Sequence, residues 1–183
     1  MSIDQATPAD LEAAKLVFAG PVGAGKTTAI RSIADGDPLS TEMPMTEGAM
    51  GDKTTTTVAL DFATVILDDG TPLLVYGMPG QEHFSFMRPI VIEGAIGVIL
   101  LLNGHDEDAP AQCEHWLKSI RSINPDMAIV IGITHSDRAP NFSLRSIREA
   151  TRRCGRPLPI FTFDARSRTE AAHLVRALLV DAL

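Results

Sequence analysis

A glycine-rich stretch at residues 20–27, Gly-Pro-Val-Gly-Ala-Gly-Lys-Thr, constrains what this 183-residue chain can fold into more than any other segment. It follows an apolar run at 15–19 that predicts a buried strand, and residues 27–34 after it predict a helix. Glycines between a strand and a helix let successive backbone N–H groups point inward, at the positive end of the helix dipole. All eight positions match the pattern G-x-x-x-x-G-K-[S/T], so the sequence predicts a binding loop for the phosphates of a nucleoside triphosphate.

The polar residues of this loop have distinct predicted tasks. Lys26 is expected to reach the β- and γ-phosphates as a point charge, and the Thr27 hydroxyl is expected to ligate Mg²⁺. Thr28 is expected near the α-phosphate. The loop does not by itself distinguish ATP from GTP. The predicted phosphate-binding set is Gly20, Val22, Gly23, Ala24, Gly25, Lys26, Thr27 and Thr28.

The rest of the chain predicts a single α/β domain. Runs 58–67 and 72–76 are β-rich and flank an Asp-Asp-Gly turn, which predicts one antiparallel pair. In the C-terminal half, apolar runs alternate with helical stretches, which predicts a mostly parallel sheet with helices on both faces. Residues 35–56 mix Gly, Pro, Thr and Met without a period and are predicted as a long loop. We therefore expect a short N-terminal arm at 1–12 and a three-layer domain at 13–183, with a six-stranded sheet and one antiparallel edge strand.

The charge distribution argues against nucleic-acid binding, because the net charge is −7. Residues 1–137 carry 7 basic and 19 acidic side chains, whereas 138–183 carry 9 arginines and 4 acids. This basic third is either a solvated surface or a docking face for an acidic partner or an anionic membrane, and any membrane association is expected to be indirect. Cys113 and Cys154 are too few for a disulfide framework or a metal site. No apolar run approaches the roughly 20 residues of a membrane span, and we expect a cytoplasmic protein.

Four further motifs resemble those of Ras-like small GTPases, in the order in which that family has them. Residues 76–82, Tyr-Gly-Met-Pro-Gly-Gln-Glu, resemble its switch II, and 57–62, Thr-Val-Ala-Leu-Asp-Phe, resemble its switch I and second strand. Residues 134–137, Thr-His-Ser-Asp, resemble the guanine-reading N/T-K-x-D, and 164–166, Asp-Ala-Arg, resemble the S-A-K loop that also contacts guanine. The chain is similar to a bacterial group of these proteins, the conservon-type GTP-binding proteins, and more distantly to the gliding-motility switch GTPases.

This resemblance implies a P-loop NTPase of the G-domain type that binds GTP and GDP with Mg²⁺ and hydrolyses GTP slowly. In the bacterial group the partner is commonly a Roadblock-type protein. The resemblance implies that Gln81 orients the attacking water, with Lys26 as the second catalytic residue, and that the Gly80 N–H meets the γ-phosphate. Thr57 is then the switch I threonine that ligates Mg²⁺, although any threonine at 54–57 fits and a Thr-rich strand edge is the alternative.

A guanine site is implied as well. Asp137 would accept hydrogen bonds from guanine N1–H and the exocyclic amine, which adenine does not offer together, and the Ala165 N–H would meet guanine O6. A turn aspartate is the alternative interpretation of Asp137. The base-contacting set implied in this way is Thr134, His135, Asp137, Ala165 and Arg166.

The sequence departs from the family pattern at two positions. Gly77 stands where switch II normally has an Asp that holds Mg²⁺ through a water, which shifts the expected metal binding to Thr27 and Thr57, with Asp61 as a further candidate. His135 replaces the usual Lys, and its ring is expected to stack on the base. Two other functions stay open: a P-loop ATPase or phosphotransferase, and an adaptor that holds nucleotide without hydrolysing it.

The region after Gln81 bears on hydrolysis and on partners. Arg88 is either a surface salt-bridge residue or an arginine finger acting in cis, and an activating protein is the expected source of such an arginine. Residues 84–92 are unusually apolar for a segment that moves. Flexible apolar side chains in the switch I region add to this character. They are Met43, Met45 and Met50. We expect part of these segments to form a partner surface in one nucleotide state.

Overall fold

The computed structural model describes residues 13–47 and 54–182, with the side chains of 40–59 outside that description. The predicted N-terminal arm, 1–12, and the predicted contribution of the switch I methionines to a partner surface therefore lie outside the described residues. The strands are β1 (Ala14–Ala19), β2 (Leu39–Glu47), β3 (Thr54–Ile66), β4 (Pro72–Gly77), β5 (Ala95–Asn103), β6 (Ala128–Thr134) and β7 (Ile160–Thr162). The helices are α1 (Lys26–Ile33), α2 (Arg88–Ile92), α3 (Ala109–Ile123), α4 (Leu144–Arg153) and α5 (Arg168–Ala182), with short 3₁₀ turns at Glu82–Met87 and Ser136–Arg138.

The strands form one sheet in the order β2-β3-β4-β1-β5-β6-β7. The strands from β4 to β7 in this order are parallel, and β3 runs antiparallel to both β2 and β4. The predicted three-layer α/β architecture is confirmed, with its six strands and the antiparallel pairing of β3 with β4. Because β1 lies between β4 and β5, the chain leaves β1 at a crevice along the carboxyl edge of the sheet, where such folds bind ligands.

The segment predicted as a long loop, 35–56, contains a strand that the sequence pattern did not indicate. This strand, β2, pairs with β3 from Leu39 opposite Phe62 onwards, and it adds a seventh strand in the described part of the chain. The strand β3 is therefore not the edge strand. The new strand lacks the continuous apolar run of a buried strand and contains Pro44, which a sheet tolerates at an edge. Its strand conformation comes from antiparallel pairing with β3, and no local sequence pattern reveals that pairing.

Two apolar cores cover the two faces of the sheet. Along β5, Val98, Leu100 and Leu102 face one core, whereas Ile99 and Leu101 face the other, since successive strand residues point to opposite sides. Helices α3 and α4 cover the first core, and α1 and α5 cover the second. This packing fixes the carboxyl ends of the central strands. None of the described helices combines the length and the apolar character that a membrane span requires.

Candidate functional site

The glycine-rich turn between β1 and α1 adopts backbone angles that only glycine takes easily. The φ angles of Gly20, Gly23 and Gly25 are 135°, 79° and 91°. A Cβ at Gly20 would collide with the carbonyl oxygen of Leu101 on β5. Gly25 caps α1, which begins at Lys26. The turn therefore curls at the positive end of the α1 dipole, in a geometry suited to phosphate oxygens.

Lys26 lies across this loop. Its Nζ donates hydrogen bonds to the carbonyl oxygens of Gly20 and Pro21, each at 2.7 Å. Burial lowers the pKa of Lys26 to about 8, and the neighbouring Asp61 carboxylate opposes that shift. The amine is thus poorly solvated and close to the loop, so an anion bound there would favour its charged form.

A carboxylate on the neighbouring strand lies beside Gly77, the position where the family pattern has an Asp. Asp61 on β3 lies opposite Gly77 on β4, and Thr27 Oγ1 donates a hydrogen bond to Asp61 Oδ2 at 2.5 Å. A Cβ at Gly77 would lie 3.0 Å from the Asp61 Cβ and 2.8 Å from the Ile30 Cδ1, so a side chain at position 77 would crowd both of these neighbours. Thr27 and Asp61 are therefore side chains that could hold Mg²⁺, together with phosphate oxygens and water.

Thr57, the predicted second metal ligand, lies on β3 opposite Pro44. It precedes Asp61 by four residues, roughly 13 Å along an extended strand. Since the Thr57 side chain is not among those that the structure describes, its role stays a prediction. Among the residues that the structure describes, no group of three or more His, Cys, Asp and Glu side chains could hold a metal ion by itself. A metal in this cleft would have to share the ligands of a bound phosphate.

A cavity of about 580 Å³ opens at this loop, and we refer to it as the phosphate cavity. Gly80 packs against the loop so closely that a Cβ would lie 2.6 Å from the backbone nitrogen of Val22. Gln81 follows, with an exposed side chain at the cavity wall. The phosphate cavity is thus bounded on one side by the β1–α1 loop and on the other by the segment that carries Gly80 and Gln81.

A second cavity, of about 380 Å³, is referred to as the base cavity. Gly25, Thr28 and His135 line both cavities, so the two adjoin. His135 has a left-handed backbone, with φ 55°, and lies where they meet. The Asp137 side chain is 78% exposed at the base cavity, with its carboxylate 3.9 Å from Arg138 Nε. A cleft of this combined size fits a nucleotide with its base at the Asp137 end.

Thr134 and Ala24, both predicted nucleotide contacts, support the cleft from beneath. Thr134 lines the base cavity but is only 1% exposed, and its Oγ1 donates to the carbonyl oxygens of Ala24 at 3.1 Å and Leu102 at 3.3 Å. The Ala24 side chain is fully buried. The Thr134 hydroxyl therefore ties the phosphate loop to the ends of β5 and β6.

An ion pair stabilises the loop that contains Ala165 and Arg166, two of the predicted base-contacting residues. Arg166 binds Asp164 at two points, Nε to Oδ1 at 2.9 Å and Nη2 to Oδ2 at 2.7 Å, and this hydrogen bonding lowers the pKa of Asp164 to about 2. The Asp164 N–H donates to Glu170 Oε2 at 2.8 Å. Glu170 was not among the predicted residues, although its Ser-x-x-Glu spacing from Ser167 is typical of a helix start.

Arg88 is ion-paired but buried, which corrects the expectation of a surface salt bridge. Its side chain is 4% exposed and lies over Trp116, with Cζ 4.1 Å from the ring centre. Its Nη2 donates to Glu82 Oε2 at 2.7 Å and its Nη1 to Ser119 Oγ at 3.0 Å. Arg88 lines neither cavity, so the structure does not support an arginine finger in cis.

Most arginines of the basic C-terminal third are paired within the protein. Of the nine arginines after residue 137, seven lie in ion pairs with carboxylates: Arg138, Arg145, Arg153, Arg156, Arg166, Arg168 and Arg176. This pairing favours a solvated surface over a docking face for anions.

Known proteins of one family are similar to this chain. The family described as Ras of Complex, Roc, domain of DAPkinase matches residues 15–137. The GTP-binding protein ypt4 of Schizosaccharomyces pombe is 25% identical over 147 residues, which make up 76% of this chain and 58% of that protein. Ras-related protein Rab-21 of Bos taurus is 28% identical over 57% of this chain and 50% of its own length. Ras-related protein Rab-13 of Rattus norvegicus is 30% identical over 58% and 48%, respectively. The chain thus spans about half the length of the curated relatives it matches.

Proposed function

Because the chain belongs to the Ras-like small GTPases that the Roc family represents, we propose that it is a guanine-nucleotide switch that binds GTP and GDP, hydrolyses GTP slowly and signals through a partner protein. The pair of adjoining cavities is the observation that carries this proposal. Lys26 and the glycine loop lie at the phosphate cavity, and the exposed Asp137 carboxylate lies at the base cavity. Guanine offers two N–H donors that one carboxylate accepts together, and adenine does not.

Thr27 and Asp61 are the residues proposed to hold Mg²⁺, directly or through water. Their side chains already lie hydrogen-bonded at the mouth of the loop. Mg²⁺ keeps several waters and binds proteins through one or two oxygen ligands plus substrate phosphates, so one hydroxyl and one carboxylate suffice. When bound, the ion supplies neutralisation of charge on the phosphate oxygens.

Gln81 is proposed to orient the attacking water, because it lies at the phosphate cavity directly after Gly80. Arg88 is buried over Trp116, so the arginine that accelerates such reactions is proposed to come from a partner. Small GTPases of this kind turn over on the order of 10⁻⁴ s⁻¹ alone and roughly 10⁵-fold faster with a supplied arginine. A slow intrinsic rate is therefore expected.

A Roadblock-type protein is proposed as the partner, following the resemblance of the sequence to the bacterial conservon-type group. An exposed apolar side chain at the phosphate cavity supports a partner surface there. Val22 lines the cavity and is 65% exposed, and the segment after Gln81 adds Phe86 and Ile90, which are 37% and 47% exposed. Such side chains beside a phosphate sensor suit a surface that another protein reads in one nucleotide state.

The nucleotide that co-purifies with the protein, identified by chromatography, tests the proposal. We expect GDP or GTP, and we expect excess GDP but not ATP to displace labelled GTP. Asp137→Asn is expected to shift the preference from guanine towards xanthine, because an amide donates where the carboxylate accepts. Asp126→Asn, at the opposite end of β6, is the matched control and should leave the preference unchanged. Equal displacement by ATP would instead favour a P-loop ATPase or phosphotransferase.

Release of phosphate from GTP, measured with and without the partner protein, separates a switch from an adaptor that holds nucleotide unchanged. We expect slow release from the protein alone and faster release with an activating partner. Gln81→Leu is expected to suppress both rates while leaving GDP affinity nearly unchanged. Tight GTP binding with no phosphate release under either condition would support the adaptor.

A further inference from the structure

Arg88 is a buried cation whose partners come from two parts of the fold. Glu82, at the start of the preceding 3₁₀ turn, pairs with its Nη2, and α3 supplies Ser119 and the face of Trp116. A guanidinium taken out of water is costly unless its charge is paired and its donors are bonded. The burial of Arg88 is therefore stable only while Glu82 and α3 are both in place.

The Glu82 end of this cluster is suited to a lasting ion pair. Desolvation opposes ionisation of Glu82, but the hydrogen bond and the charge of Arg88 outweigh it and lower the pKa of this carboxyl. His115 on α3 is a further member of the cluster and is exposed like Glu82, with Nε2 3.2 Å from Glu82 Oε2 and 3.4 Å from Arg88 Nη1. Glu82 is thus bound to α3 both through Arg88 and through His115.

Glu82 is also the residue directly after Gln81, which connects the cluster to the phosphate cavity. The Gln81 carbonyl oxygen accepts a hydrogen bond from the Phe84 N–H at 3.1 Å. On the other side of Gln81, the Gly80 backbone is packed against Val22. Once Arg88 holds the Glu82 side chain, the backbone is fixed before and after Gln81.

Resting on the proposed function, we propose that Arg88 is a positioning residue that anchors the segment carrying Gln81 onto α3. Arg88 lines neither cavity and touches no reacting atom, so it acts through Glu82. The anchor fixes the position from which Gln81 presents its amide to the phosphate cavity. It contributes nothing to the binding of the base or of the loop-bound phosphates.

This role predicts that substitutions in the anchor slow GTP hydrolysis but leave nucleotide affinity nearly unchanged. Arg88→Met keeps an apolar side chain on Trp116, and Glu82→Gln removes the partner charge from an exposed position. Each is expected to lower the single-turnover rate of GTP hydrolysis roughly 10- to 100-fold, because small displacements of a catalytic group are costly. The GDP dissociation constant is expected to stay within about twofold of the wild-type value, because neither residue lines the cleft.

The double variant and a matched control sharpen the test. Because both substitutions break one anchor, Arg88→Met combined with Glu82→Gln is expected to be no slower than the slower single variant. Arg88→Lys, which keeps the charge but not the planar fork, is expected to lie between Arg88→Met and wild type. Glu149→Gln breaks an exposed pair with Arg145 on α4 and should leave hydrolysis unchanged. Wild-type hydrolysis in a folded Glu82→Gln protein would overturn the proposal.

Amide hydrogen exchange gives a readout that does not depend on catalysis. Amides 81–84 are expected to exchange faster in Glu82→Gln than in wild type, whereas Glu149→Gln should not change them. Unchanged exchange at 81–84 would contradict the anchor even if the protein binds no guanine nucleotide. Absence of guanine-nucleotide binding together with faster exchange would overturn the proposed function and leave the anchor standing. Since Glu82 is 65% exposed, the Glu82→Gln protein is expected to fold even if the Arg88→Met protein does not.

Discussion

Asp61 and Gly77 face each other across β3 and β4, and the Asp61 carboxylate receives the hydrogen bond of the Thr27 hydroxyl. A side chain at position 77 would crowd Asp61 and the end of the Ile30 side chain. Asp61 therefore brings a carboxylate to Thr27 from β3, whereas the family pattern has its carboxylate at the position of Gly77 on β4. We propose that the position of the carboxylate beside Thr27 matters for Mg²⁺ binding, and not its place in the sequence.

Asp61→Asn tests this assignment, because it removes the charge and keeps the size. The Mg²⁺ concentration that half-maximally slows the release of fluorescent GDP is expected to rise roughly 10- to 100-fold. Asp69→Asn, in the turn after β3, is the matched control and should leave that concentration unchanged.

Exchanging the two residues is a stricter version of the same test. Gly77→Asp alone is expected to lower stability, because its side chain meets Asp61 and Ile30. Asp61→Gly combined with Gly77→Asp should recover much of the Mg²⁺ response. A double variant as insensitive to Mg²⁺ as Asp61→Gly alone would show that the two positions are not equivalent.

The low pKa of Lys26 predicts proton uptake on nucleotide binding. With a pKa of about 8, Lys26 is half protonated at pH 8 in the free protein, and bound phosphates favour its charged form. GDP binding should therefore take up roughly 0.5 proton at pH 8 and little at pH 7. Calorimetric titrations in buffers of different ionisation enthalpy measure this number, and an uptake independent of pH would refute the assignment.

The same group shapes the stability of the nucleotide-free protein at alkaline pH. The folded-state pKa of Lys26, about 8, lies below the ordinary value of 10.5. Between these two values the unfolded chain holds more protons at this site than the folded protein does, so this group makes stability increase with pH through that window. Urea unfolding between pH 8 and 10 should show a smaller rise in Lys26→Met than in wild type.

Thr134→Val tests the tie between the phosphate loop and the sheet. The variant keeps the shape but removes the hydroxyl that donates to the Ala24 carbonyl oxygen, which is expected to cost about 1–2 kcal/mol of stability. Nucleotide affinity should fall as well, because the loop loses a support. Thr151→Val is the control, since that buried hydroxyl donates to the Arg148 carbonyl oxygen within its own helix. Urea unfolding and GDP titration of both variants distinguish the two effects.

Arg166→Gln tests the ion pair at the base cavity. The pKa of Asp164 is expected to rise from about 2 part of the way towards its ordinary 3.8, with the backbone hydrogen bond from residue 166 keeping the remainder of the shift. Because the folded-state pKa is the lower one, the stabilisation from Asp164 is present above about pH 4 and lost as the pH falls towards 2. Carboxyl-carbon NMR titration measures the pKa, with Arg168→Gln, which pairs with Asp35, as the control.

The parts of the fold that local patterns specify could be predicted from the sequence. The phosphate loop was one of them, because its glycines, its lysine and the flanking strand and helix are contiguous. The Asp61 carboxylate was only one candidate among several, since its place beside Thr27 depends on the register of two strands. Arg88 was expected at the surface, as charged side chains usually are. Its burial depends on Ser119 and Trp116 of α3, which no short window of sequence brings near it.

The two cavities share Gly25, Thr28 and His135 as a common border, and their outer ends are chemically opposite. The Lys26 amine, whose charged form bound phosphates favour, lies at one end. The Asp137 carboxylate lies at the other. An inhibitor with an acidic group at one end and hydrogen-bond donors at the other can therefore bind in one orientation only. Two fragments that bind the halves separately would sit end to end, so a short tether between them would convert two weak affinities into a strong one.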